Sequence, residues 1–180
     1  MSTHNGSAFT ELIHDLLHYA LPRYGLEWEE PHIRNSIKVF REEFGEAVIL
    51  FRERHANEFK SRMLRISGME CPEDVFQYIA LFCKSTFKGN APLMELFIFC
   101  AFLLDLTIYC LRLYSLELYT EVIDDTSAVF DEYVQQYFTV VGGWYALYHV
   151  AAQYTSYACL LTKLNSSVFS AVGRAEADII

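Results

Sequence analysis

The segment from Leu93 to Leu113 constrains the fold most strongly, because most of its side chains are apolar and would lie on every side of a helix. Such a helix must be buried all round, either in lipid or among other helices. Glu95 and Asp105 interrupt the segment, and the stretch between them is too short to cross a bilayer. Amphipathic segments flank it on both sides, so the sequence predicts a soluble bundle of helices around one central helix.

The composition limits the class of protein. The chain has 180 residues, of which 53% are hydrophobic, and this favours one domain, 1–180, with a large core. Its net charge of −9 argues against a nucleic-acid partner, since binding a phosphate backbone requires a basic face. The five cysteines have no metal-type spacing, and their odd number without a signal peptide fits the cytosol or the nucleus.

Apolar residues recur at helical spacing along most of the chain, and proline or glycine marks the boundaries between helices. The predicted helices span about residues 8–21, 33–64 (with at most one break), 72–87, 93–113 and 116–138, and a last helix begins at Trp144. The stretch 147–164 contains His149, Gln153 and Lys163. It is too polar for a membrane anchor and is expected to pack as an amphipathic helix.

Three short motifs lie in order along the chain. The first is the stretch 11–21, which contains a Leu-x-Tyr-x-Leu run and is followed by Gly25 and Trp28. The second is the stretch 87–95, at the start of the central segment. The third is the stretch 137–144, in which aromatic residues precede a Gly-Gly-Trp turn. In their order and spacing, these stretches resemble the N-terminal, first and second homology motifs of the Bcl-2 family of apoptosis regulators.

The resemblance covers about residues 11–150 and is closest to divergent viral pro-survival members of the family. It implies an all-α, Bcl-2-like helical bundle. It also implies an inhibitor of apoptosis that sequesters the amphipathic death-motif helix of pro-apoptotic Bcl-2 family partners in an apolar surface groove. Such a protein acts in the host cytoplasm or at the mitochondrial outer membrane, and it can also form a homodimer. No cofactor is implied.

The first homology motif departs from the family pattern. Where the family usually reads Asn-Trp-Gly-Arg, this chain has Pro92, Leu93, Met94 and Glu95. In the family the glycine allows a ligand helix to approach closely, and the arginine pairs with a ligand aspartate. Met94 is bulkier and Glu95 reverses the charge, which turns an attraction of about 1–3 kcal/mol into a repulsion. We therefore expect a narrow set of partners, with Lys84 and Lys88 as candidate replacements for the missing cation.

The groove is predicted on the second helix, the helix before the turn, the turn itself and the start of the central helix. The candidate groove residues are Val48, Phe51, His55, Phe59, Phe82, Thr86, Lys88, Asn90, Leu93, Met94, Glu95, Ile98 and Phe102. For each aromatic the alternative is closed core, because apolar stripes at helical spacing usually are core. Gly142, Gly143 and Trp144 are expected to be structural, with Trp144 filling a slot between the last helices and the central one.

The second helix also resembles the family's death motif, in either of two registers. One register aligns Ile37, Arg41, Phe44, Gly45, Glu46 and Val48, with arginine at the usual leucine position. The other uses Phe44, Ala47 and Phe51 and loses the pair of glycine and acid. In both registers the motif is degenerate, and a structural wall is favoured over an exposed ligand.

Catalysis finds little support in the sequence, so we expect that the protein is not an enzyme. His14 and His18 are spaced for a metal, but no further ligand accompanies them, and a polar edge of the first helix is favoured. Two other functions stay open. One is a membrane-permeabilising, pore-forming effector, and the other is a helical interaction scaffold with a closed groove.

Overall fold

The computed structural model describes residues 8–29, 39–69, 72–86, 92–113, 127–128, 130–131 and 135–177. Among these residues all regular structure is helical, which confirms the predicted all-α class. The helices are α1 (Ala8–Ala20), α2 (Glu42–Arg54), α3 (Ala56–Ser67), α4 (Pro72–Thr86), α5 (Pro92–Leu113), α6 (Gln135–Val140) and α7 (Gly143–Ala177). A 3-10 turn, Leu21–Tyr24, extends α1.

Helix α5 is the centre of the molecule, as the apolar segment predicts. It contacts α1, α2, α3, α4, α6 and α7, and the side chains from Phe99 to Leu104 are fully buried. The 20 residues from Leu93 to Arg112 have the length and mean hydropathy of a membrane span, despite Glu95 and Asp105. In this fold 72% of that apolar window is buried among the other helices.

The aspartate within α5 is held by a cation on α2. Arg52 Nε donates a 2.7 Å hydrogen bond to Asp105 Oδ1, and Arg52 Nη2 lies 2.5 Å from the same oxygen. The Arg52 guanidinium also covers the ring of Tyr24, 4.7 Å from its centroid. A charged residue is therefore accommodated on the central helix because its charge is neutralised inside the bundle.

Helix α2 lies between α5 and α7, and it runs parallel to α7. Arg41 covers the ring of Tyr148 at 4.6 Å, whereas at the other end of α2 Arg54 donates a 3.4 Å hydrogen bond to the carbonyl of Ala158. The 35 residues of α7 make it the longest helix described. At 1.5 Å per residue it is about 50 Å long.

The structure shows the one break that the predicted second helix allowed, and it moves the start of that helix to Glu42. The described part of the segment 33–64 forms two helices, because α2 begins at Glu42 and the chain turns at His55 before α3. Residues 33–38 lie outside the described residues. Most of the predicted helix 116–138 lies outside them too, and α6 covers only its end.

His14 is buried, so its predicted place on a polar edge is wrong. Its exposed fraction is 8%, and the indole N–H of Trp28 donates a 3.2 Å hydrogen bond to His14 Nδ1. An indole N–H can only donate, so Nδ1 of His14 is the acceptor of this bond. His18 is exposed. Only His14 of the two therefore holds the segment that follows α1, through its bond with Trp28.

Candidate functional site

Helices α3 and α4 border an open cleft on the surface of the described part of the chain. It encloses about 650 Å³ and is lined by Asn57, Glu58, Ser61, Arg62 and Arg65 of α3 and by Tyr78 of α4. We refer to these six residues as the α3–α4 cleft. Helix α3 turns Phe59, Met63 and Ile66 towards the core. Its polar face therefore lines the cleft.

Aromatic rings of the core lie beneath Arg62, one of the residues that line the cleft. The guanidinium of Arg62 sits 4.3 Å above the ring centroid of Phe82, and Arg62 Nη1 donates a 3.5 Å hydrogen bond to the Tyr78 hydroxyl. Phe82 in turn packs 4.5 Å from Phe102 and 6.4 Å from Phe99, centroid to centroid. The Arg62 side chain thus bridges α3 to α4, and its guanidinium covers one face of the Phe82 ring.

A second aromatic group lies at the junction of α2 and α3. Phe51 stacks on His55 with ring centroids 4.4 Å apart, and its ring lies 6.5 Å from that of Phe59. Tyr154 of α7 lies 5.9 Å from Phe51 and 6.4 Å from Phe97. This part of the predicted groove is therefore covered by α7.

The structure divides the predicted groove residues by depth. The buried members are Val48, Phe51, Phe59, Phe82 and Phe102. The members with partial or greater exposure are His55, Thr86, Leu93, Met94, Glu95 and Ile98. Lys88 and Asn90 lie outside the described residues, as does the side chain of Lys84. The aromatic members belong to the core, and the accessible members lie at the ends of α2 and α4 and the start of α5.

Sequence reasoning missed the residues that line the cleft itself. Arg62, Arg65 and Tyr78 were not predicted as site residues. The available signal is that Arg62 and Arg65 are three residues apart on α3, so they share one face of the helix, beside its apolar stripe. That signal gives two neighbouring cations, but only the fold shows that α4 lies next to them.

An acidic charge stands at the start of α5. Glu95 is in the first turn of the helix, where the positive end of the helix dipole favours a carboxylate. It is partly buried, and its Oε2 atom is shielded from solvent. Neighbouring Met94 is 36% exposed. A ligand carboxylate brought to this place meets repulsion rather than an ion pair.

The death-motif-like segment of α2 is packed against α1. Glu46 accepts hydrogen bonds from the Tyr19 hydroxyl and from the Arg23 guanidinium. The bond from Arg23 is the main cause that lowers the pKa of Glu46. Burial, followed by the bond to Glu46, raises the pKa of Tyr19 to about 12. Because Phe44 and Val48 are also fully buried, this face of α2 is a wall of the bundle in this structure.

The Gly-Gly-Trp motif forms the corner between α6 and α7. Gly142 and Gly143 have φ angles of 103° and 57°, which favour glycine. Trp144 is partly buried and packs edge-on to Phe138, with centroids 4.8 Å apart. It faces a second cavity of about 620 Å³, which Phe9 also lines. Trp144 packs against the core but keeps one side open to this cavity, so it is less deeply buried than a residue that fills its slot completely.

Trp144→Ala is expected to lower the free energy of unfolding by about 1–1.5 kcal/mol. Full burial of a large apolar side chain is worth about 1.5–3 kcal/mol, and Trp144 is only partly buried. Urea denaturation followed by circular dichroism measures the change. Tyr145→Ala is the control, because Tyr145 is 80% exposed. Equal effects of the two substitutions would contradict the packing of Trp144 on Phe138.

No protein-family model matches this chain, and no curated protein matches it in sequence.

Proposed function

We propose that this chain is an inhibitor of apoptosis with a Bcl-2-like fold, and that it sequesters the death-motif helix of pro-apoptotic partners. The single observation that carries the proposal is the α3–α4 cleft, where the lining residue Arg62 covers the ring of Phe82, which in turn packs on Phe102 of the central helix. The three motifs resembling the family's support it, because they occur in the family's order around the same central helix. Their divergence supports a viral pro-survival member that acts in the host cytoplasm or at mitochondria.

Binding in this site follows the helix-in-groove mode. An amphipathic helix presents apolar residues at positions i, i+3 or i+4 and i+7 along one face. Phe82 and the partly exposed Ile98 and Leu93 offer apolar surface to such a face once Arg62 swings aside. The protein acts by holding the partner helix, so the proposed function needs no catalytic group.

A narrow partner range follows from the start of α5. Met94 occupies the position at which the family's motif has its small residue, and Glu95 carries the opposite charge. Close approach of the ligand backbone and an ion pair are both disfavoured there. Partners must therefore bind through strong apolar anchors or through a cation elsewhere in the site.

A binding titration tests the proposal. Fluorescently labelled peptides spanning the death-motif helices of pro-apoptotic Bcl-2 family proteins are titrated with the full chain, and anisotropy gives each Kd. We expect a few peptides to bind with Kd below about 1 μM, which corresponds to about −8 kcal/mol. Failure of every peptide to bind would contradict the proposal and favour the alternative, a helical interaction scaffold in which Arg62 always covers Phe82.

A pair of variants locates the binding surface. Ser61 is exposed and lines the cleft, so Ser61→Tyr should obstruct it and weaken the bound peptides by about tenfold or more, or about 1.4 kcal/mol. Lys60 is exposed on the other side of α3, so Lys60→Tyr should leave Kd unchanged. Equal loss in both variants would place the binding surface elsewhere.

One observation favours a second candidate, a membrane-permeabilising effector. Helix α5 has the length and hydropathy to enter a bilayer if the bundle opens. The ion pair between Arg52 and Asp105 opposes this, because opening separates two charges that lie inside the bundle. Release of a dye from liposomes with a mitochondrial lipid composition distinguishes the two functions. The sequestering protein releases none by itself and blocks release by an effector.

A further inference from the structure

We propose that Arg62 and Arg65 form the cation site of the α3–α4 cleft and select partner helices that carry an acidic side chain on their apolar face. The inference rests on the proposed function and specifies its ligand. Its occupant is an amphipathic helix with a carboxylate positioned over α3, rather than over the start of α5.

The charges of the cleft carry the inference. In a chain of net charge −9, this concave site holds two arginines and one glutamate. Arg62 contacts the Phe82 ring and the Tyr78 hydroxyl, and the Arg65 guanidinium lies 6.0 Å from the Tyr78 ring centroid. Within the described part of the chain, neither guanidinium forms an ion pair with a carboxylate. Both cations are therefore available to a ligand.

The one carboxylate in the cleft has a different neighbour. Glu58 Oε1 lies 3.3 Å from Nδ1 of His55, at the first turn of α3. Its side chain is 74% exposed, so solvent screens much of its charge. The end of the cleft near Arg62 and Arg65 is thus the more positive one, and it attracts an acidic group.

The position of Arg62 couples ion pairing to apolar contact. Its guanidinium covers Phe82, and a carboxylate in the cleft would draw it away from the ring to form a stronger, charge-assisted bond. That movement uncovers a Phe82 ring face for an apolar residue of the same ligand helix. An acidic ligand residue would thus expose the Phe82 ring to a neighbouring apolar residue of the same ligand, whereas a neutral ligand would leave Arg62 on the ring.

The start of α5 excludes the alternative position for the ligand acid. Glu95 places a carboxylate there, so an acidic residue docked over it meets like charge. A ligand that crosses both regions is oriented by attraction at α3 and repulsion at α5. The charge pattern fixes the register of the helix as well as its affinity.

The experiment compares two forms of the tightest-binding death-motif peptide, with aspartate or asparagine at its acidic position. We expect the full native chain to bind the aspartate form about tenfold more tightly, which equals about 1.4 kcal/mol. The variant carrying Arg62→Gln and Arg65→Gln should bind the two forms within about twofold of each other, since the cations are gone. Lys60→Gln removes the same kind of charge outside the cleft and should preserve the preference.

Two further measurements separate charge from structure. Replacing both arginines by lysine keeps the cations and should retain a clear preference for aspartate, and raising NaCl from about 50 to 500 mM should shrink that preference in the native chain. Equal affinity of the native chain for both peptides, or a preference that survives in the double glutamine variant, would overturn the inference while leaving the proposed function standing. If no peptide binds the native chain, the proposed function fails and this inference fails with it.

Discussion

Asp105→Asn is expected to lower the free energy of unfolding by about 3 kcal/mol, one of the two largest effects that the structure indicates. The substitution removes the carboxylate that neutralises Arg52, whose side chain is 18% exposed. Removing one member of a buried ion pair typically costs about 3–5 kcal/mol, because the other charge stays desolvated. Urea denaturation at pH 7, followed by circular dichroism at 222 nm, gives the difference between variant and native chain.

A second ion pair provides the matched control. Arg23 and Glu46 also join two helical segments, but their side chains are 43% and 35% exposed. Exposed pairs contribute at most about 1 kcal/mol, so Glu46→Gln should cost less than that. Combining Asp105→Leu with Arg52→Met removes both charges and should recover part of the loss. Equal costs for Asp105→Asn and Glu46→Gln would contradict the burial of the α2–α5 pair.

The sequence predicted the helices whose limits are set by local chemistry. Proline is the first residue of both α4 and α5, where its missing N–H costs no hydrogen bond. A helix that is apolar on every side, as α5 is, is buried on every side in a bundle of helices only at its centre. The glycines at 142 and 143 likewise marked the corner before α7, because both adopt positive φ.

Long-range partners could not be read from local patterns. Arg52 and Asp105 are far apart in the chain, and helical spacing gives the face of each residue but not its neighbour. His14 illustrates the same limit, since its burial depends on the indole of Trp28, which follows α1 across a turn. The residues of the α3–α4 cleft show this limit as well. Phe82 could be named from the sequence because it lies on an apolar stripe at helical spacing. Arg62 and Arg65 could not, because their place beside α4 depends on how the helices pack.

Gly45→Ala is expected to lower the free energy of unfolding by about 2 kcal/mol. A Cβ at this position would lie 2.6 Å from Cδ1 of Tyr19 and 2.9 Å from Cζ of Phe40. Overpacking costs about 1–3 kcal/mol, and alanine regains up to about 1 kcal/mol of helix propensity. The Tyr19 ring cannot turn away cheaply, because its hydroxyl is bonded to Glu46 and Arg23 covers its face. Thermal and urea unfolding measure the loss.

Gly68→Ala is the matched control for this substitution. Gly68 has a right-handed conformation with φ of −87°, and a Cβ there would lie 3.6 Å from its nearest neighbour, the carbonyl oxygen of Arg65. Alanine should therefore be neutral or slightly stabilising at Gly68. Tyr19→Ala should relieve the clash, so Gly45→Ala should cost less in that background than in the native chain. If Gly45→Ala is instead tolerated as well as Gly68→Ala, then α2 is not wedged beneath α1. The death-motif-like face of α2 could then leave the bundle and bind another protein, and it would not be a structural part of the bundle.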